Sequence, residues 1–138
     1  MNKFIIKKST IAEAGKGVFS RQLIGIEEIV AFAGGERNAH FKQSDITAYI
    51  NDAWPNKQPN IFIYPHTSPS GNVLFRWKAL KPIYPGDELL ADYDRTRHII
   101  RRMGIKASKA TIYRRWPKVY QALISRVNTR PVYSELIS

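Results

Sequence analysis

At 138 residues and with no cysteine, the chain can bury one real core but can hold neither a disulfide nor a thiolate zinc site. No apolar run reaches membrane-spanning length, and Phe4-Ile5-Ile6 is too short for a secretory leader; a cytoplasmic protein without membrane contact is expected, or one of a nucleoid or host nucleus. The net charge of +11 gathers at one end: residues 1–94 hold eleven Lys/Arg against ten acids, residues 95–138 eleven against Glu135 alone.

In chain order, Phe4 to Lys7, Gly17 to Arg21 and Glu28 to Phe32 are brief apolar or alternating runs bounded by glycine or polar residues, and read as short strands. Asp45 to Ile50 is the one helical candidate of this half, with Ser44 or Asp45 as its cap. Ile61 to Tyr64 and Val73 to Lys78 read as a hairpin joined through Pro69-Ser70-Gly71-Asn72, and Leu89 to Ala91 as a last strand after the Pro85-Gly86 turn. After Asp94 the period changes. Thr96 to Met103 reads as a helix ended by Gly104. Ser108 caps a second helix from Lys109 to Arg115, and Pro117 opens a third with Val119, Leu123 and Val127 on one face. The charge break and the change of period coincide, which divides the chain into a β-rich unit, 1–94, and a basic helical segment, 95–138.

Three stretches carry chemistry. The first is Gly15-Lys16-Gly17 with Val18-Phe19 after it. The second is Tyr49-Ile50-Asn51-Asp52-Ala53, closed by Pro59-Asn60. The third is Pro85-Gly86-Asp87-Glu88-Leu89-Leu90-Ala91-Asp92-Tyr93. Singly, Gly15/Gly17 is a β-turn, Tyr93 a packed core tyrosine and Asp87-Glu88 a solvated turn. A Rossmann-type loop is a poor competitor, because Val18-Phe19-Ser20 reads as strand rather than helix. His40, His66 and His98 have no ligand spacing.

In this order and spacing the three stretches resemble the SET domain of protein-lysine methyltransferases, of the small bacterial or viral type, with Asn-Asp-Ala where most members have Asn-His-Ser. The resemblance implies a mainly β, SET-like (β-clip) fold, S-adenosylmethionine as cofactor, no metal, and a protein substrate carrying a lysine. It assigns Gly15, Lys16, Gly17 and Phe19, with Asn51 and Asp52, to the cofactor. It makes Tyr93 the catalytic tyrosine, with Tyr49 nearest to a second. The chain departs from the family in two places. Gly35 to Ala48 is a short insert where most members have a long channel wall, and Asp94-Arg95-Thr96-Arg97 stands where channel-closing aromatics are usual. A second copy of the chain completing the channel, in a homodimer, is therefore an expectation.

The basic segment resembles a bacterial helix-turn-helix over His98-Ile99-Ile100-Arg101-Arg102-Met103-Gly104 and Ser108 to Pro117. That likeness implies DNA as partner, with Lys109, Arg114 and Arg115 at phosphates and Thr111 and Tyr113 at a phosphate or base edge. A helical cap on the β-rich unit, with solvated arginines, explains the same residues. The rival to an enzyme is a non-catalytic nucleic-acid-binding or structural protein, viral or phage, on a degenerate SET scaffold.

Overall fold

In a computed structural model, which describes residues 3–105, the elements run β1 (Phe4–Lys8), β2 (Lys16–Ser20), β3 (Ile29–Arg37) and β4 (His40–Gln43). A 3-10 turn (Thr47–Tyr49) follows, then β5 (Asn51–Asp52), β6 (Ile61–Thr67), β7 (Val73–Ala79), β8 (Leu90–Ala91) and α1 (Tyr93–Arg102). They form three sheets: an antiparallel β1-β2 ribbon, a four-stranded sheet of order β4-β3-β7-β6, and a short parallel pair, β5-β8.

Alternation builds the four-stranded sheet. Ile61 and Ile63 of β6, and Phe75, Trp77 and Ala79 of β7, point inward and are almost wholly buried, while the residues between them face out. Each buried side chain of this size contributes about 1.5–3 kcal/mol. The hairpin extends beyond the expected Tyr64, through Pro65 to Thr67. Proline is tolerated there because β6 is an edge strand, so the missing N–H breaks no second ladder.

Three other expectations are corrected. The strand expected to end at Phe32 continues through Gly34-Gly35 to Arg37 and pairs with β4, which was not foreseen. The turn between them uses Asn38 and Ala39, both at positive φ, where an Asn-Gly signal is usual. The helix expected over Asp45–Ile50 is a single 3-10 turn, although Ser44 Oγ does accept the Thr47 amide at 3.3 Å. Finally, α1 starts at Tyr93 rather than Thr96, because Asp92 Oδ1 caps it by accepting the Arg95 amide at 2.9 Å. Gly104, at φ +79°, closes it as expected. Ile100 and Ile105 are buried in the same core as the strands, so that core reaches past the charge break at Asp94.

The Trp77 indole N–H donates to Thr47 Oγ1 at 2.8 Å, and Thr47 Oγ1 donates to the Ala33 carbonyl at 2.8 Å. One hydroxyl thus ties the 3-10 turn to β3 and β7. Thr47→Val keeps the shape and removes both bonds, stranding a buried indole donor; a loss of about 1–3 kcal/mol in denaturant-unfolding stability is expected. An unchanged midpoint would show that the turn is held by packing alone.

Candidate functional site

Segment 51–60 wraps around the chain from Glu88 to Asp92. In the parallel β5-β8 pair Asn51 faces Leu90 and Asp52 faces Ala91, and the Ala53 amide continues the ladder to the Ala91 carbonyl at 2.8 Å. Asn60 closes the loop. Its Nδ2 donates to the Glu88 carbonyl at 2.8 Å, and its Oδ1 accepts the Leu90 amide at 2.9 Å, so one side chain acts as a further β-strand partner. Two strands of two residues each would not persist alone; the Asn60 amide supplies the missing edge.

Glu88 lies at the junction and is buried. Its Oε2 accepts the Ser9 hydroxyl at 2.7 Å and Asn51 Nδ2 at 3.2 Å, while its Oε1 accepts the Thr10 amide at 2.9 Å and the Thr10 hydroxyl at 2.6 Å. Asn51 Nδ2 also donates to the Lys16 carbonyl at 3.1 Å. Gly17 passes so close that a Cβ there would meet Glu88 Oε2 at 2.1 Å. Gly15, at φ +78°, makes the turn into β2. Glu88 is therefore no solvated turn residue. Its role went unseen because the Ser9 and Thr10 hydroxyls give no signal of their own in the sequence.

The expected site residues divide into groups. Gly15, Lys16, Gly17 and Asn51 meet around Glu88, beside an open depression of about 800 Å³ lined by Lys8 to Glu13, Gly15 and Lys16. Its size is that of a cofactor cleft. Phe19 lies two residues along β2 on the same side as Gly17, buried, with Lys7 Nζ 4.6 Å from its ring centroid. Asp52 turns away from this group: its Oδ1 accepts the Tyr93 amide at 3.1 Å and the Trp54 amide at 3.4 Å. Tyr93 is buried, and its hydroxyl donates to the Ile50 carbonyl through a short hydrogen bond. Beside it a slot of about 10 Å³, room for one water at most, is lined by Phe41, Ile50, Trp77 and Tyr93 together with the polar Gln43, Thr47 and Thr96. Tyr49 is half-buried in the 3-10 turn and packs on the core. The expected nucleic-acid contacts Lys109, Thr111, Tyr113, Arg114 and Arg115 lie outside the described residues. Among the described residues no cluster of three or more His, Cys, Asp or Glu is placed to hold a metal, and no helix is long and apolar enough to cross a membrane.

No protein-family model and no curated protein matches the chain. Solved structures do. A candidate histone methyltransferase of Plasmodium falciparum is similar with a TM-score of 0.53 and 21% identity, over 67% of this chain and 94% of that one. Polycomb Repressive Complex 2 of Chaetomium thermophilum, bound to S-adenosylmethionine, is similar with a TM-score of 0.55 and 17% identity. This likeness covers 72% of this chain and 16% of the Polycomb chain. At such identities the likeness concerns the fold. The chain has a mainly β, SET-like fold.

The Gly17–Glu88 contact makes a double-mutant cycle decisive. Glu88→Ala strands the Ser9 hydroxyl and the Thr10 amide, and about 2–3 kcal/mol of unfolding stability should be lost. Gly17→Ala should cost a similar amount by steric conflict with the carboxylate. The double variant should be no less stable than Glu88→Ala, because the obstructing carboxylate is gone. Additive losses in denaturant titrations would contradict the geometry.

Proposed function

We propose that the protein is an S-adenosylmethionine-dependent methyltransferase of minimal SET type that modifies lysine on a protein. The observation that carries this reading is the pairing of β5 with β8. It sets Asn51 toward the Gly15-Lys16-Gly17 turn, and Tyr93 beside Ile50 at the apolar slot. The residues present fit the cofactor. Lys16 would face its carboxylate and the turn at Gly15 would offer backbone on the wall of the depression, with Asn51, buried behind the Lys16 carbonyl, as a polar group for its ammonium. When bound, S-adenosylmethionine would supply an electrophilic methyl group to an uncharged amine, the C–S bond breaking to release a neutral thioether as the C–N bond forms.

The chain's own residues serve the amine. A free lysine, with a pKa of about 10.4, is protonated at neutral pH and cannot attack. The walls formed by Phe41, Ile50 and Trp77 disfavour the ammonium by desolvation. The Tyr93 hydroxyl stands at this slot, bonded to the Ile50 carbonyl, where its oxygen would accept an amine N–H and aim the nitrogen. Asp52 holds the Tyr93 backbone, so the ring does not drift. Such positioning is a large share of what an enzyme can contribute to a transfer of this kind.

The narrowness of the slot favours a second reading. A volume of about 10 Å³ does not admit a lysine side chain without movement of its walls, which suits a non-catalytic scaffold of the same fold. Methyl transfer from labelled S-adenosylmethionine to a mixture of basic proteins separates the two. The enzyme reading predicts labelled lysine, and Tyr93→Phe should lower turnover about 100-fold with cofactor affinity little changed. A folded protein that labels nothing supports the scaffold.

A further inference from the structure

The outer face of the four-stranded sheet is neither apolar nor evenly charged. Register places its side chains in rows across the strands. Phe32, Arg76 and Tyr64 form one row on β3, β7 and β6, and Ile29, Lys78 and Phe62 form the next. The inward neighbours Phe75, Trp77, Ile61 and Ile63 are buried, whereas Phe32 is 52% exposed and Tyr64 44%. Lys42 and Arg37 add two cations on the same side, next to Gly35 and across from His40. No Asp or Glu stands among these positions, although the unit 1–94 as a whole has nearly as many acids as cations. Four cations and three aromatic rings thus share one side of a sheet that the described residues leave open.

We propose that this face is a binding platform for single-stranded nucleic acid. An acidic peptide would use the cations but has no need of the rings, and an apolar protein partner would leave Arg76 and Lys78 buried without counter-ions. Unpaired bases use both: ring faces stack on Phe32 and Tyr64, and phosphates take the guanidinium and the ammonium. Neighbouring strands lie about 4.8 Å apart, so Phe32 and Tyr64 flank Arg76 at roughly 10 Å from each other, with the cation between two stacking surfaces. Lys78 Nζ lies over one face of the Tyr64 ring, 4.2 Å from its centroid, so a base would stack on the opposite face or displace the ammonium toward its phosphate. The surface is distinct from the depression at Lys8–Lys16 and from the slot at Tyr93, and it does not depend on whether either is catalytic.

The test is fluorescence anisotropy of the full chain with labelled 20-nucleotide single-stranded DNA, single-stranded RNA and duplex DNA over a series of salt concentrations. Replacing both rings (Phe32→Ala with Tyr64→Ala) should weaken single-strand binding about tenfold or more, with the salt dependence unchanged. Phe32→Leu with Tyr64→Leu keeps apolar area and should show the same loss, which guards against a folding artefact. Arg76→Gln with Lys78→Gln should lower the slope of log affinity against log salt by roughly 1.4, two phosphates' worth. Removing the same charge elsewhere, by Lys57→Gln with Lys81→Gln, should change affinity less than twofold. Tighter binding of RNA or of DNA then identifies the polymer. The proposal is overturned if both sheet-face pairs bind as the unaltered chain does, if the unaltered chain binds no single strand at low salt, or if the sheet-face pairs weaken duplex binding as much as single-strand binding.

Discussion

The Glu88 carboxylate is held by four neutral donors, from Ser9, from the Thr10 amide and hydroxyl, and from Asn51. Among the described residues the one ion pair is Arg97 with Asp94, on α1. A buried carboxylate without a cation is costly unless hydrogen bonds surround it, and each of these bonds, made to a charged acceptor, contributes about 1.5–3 kcal/mol. They come from the β1-β2 loop and from β5, two segments far apart in sequence. The junction therefore sets how the glycine turn approaches Asn51, and it requires Gly17, since any side chain there would occupy the carboxylate's place. The wall of the proposed cofactor cleft is in this sense a consequence of satisfying one buried charge.

The same segment positions the tyrosine. Asp52 follows Asn51 in β5, and strand alternation turns it to the opposite side, where its carboxylate meets the Tyr93 amide. Asp92 caps the helix that Tyr93 begins. Tyr93 thus stands at the first position of a helix whose start is fixed by two carboxylates, and its hydroxyl reaches back to the residue before Asn51. Adjacent residues of a two-residue strand serve two sites on opposite sides of the same pairing. The pairing thereby links the proposed cofactor cleft to the tyrosine.

Much of this arrangement was legible in the sequence, and the reasons are local. The hairpin showed through its alternation and its Pro-Ser-Gly-Asn turn, and the end of α1 through Gly104. The convergence of the three motifs was expected only from their joint resemblance to the SET domain, since each alone reads as a turn or a packed residue. What stayed hidden depends on tertiary context. The β3-β4 turn uses Ala39 at positive φ, which no propensity rule favours. Pro65 obscured the length of β6, since its tolerance depends on β6 being an edge. Glu88 reads as a surface acid until Ser9 and Thr10 are brought to it, and Asp52 as a variant histidine position until its contact with Tyr93 is seen. The aromatic and basic outer face of the sheet was likewise invisible, because its rows assemble from strands paired across the bulges of β3.

In the proposed function, the Asn51–Glu88–Gly17 junction shapes a cleft for S-adenosylmethionine. Calorimetric titration of the purified chain with that compound and with S-adenosylhomocysteine, repeated on Asn51→Ala after its fold has been checked by circular dichroism, tests the claim most directly. Saturable binding of both compounds by the unaltered chain, weakened about tenfold or more in the variant, is the predicted result. Absence of heat with a folded protein, or equal binding by Asn51→Ala, would contradict it.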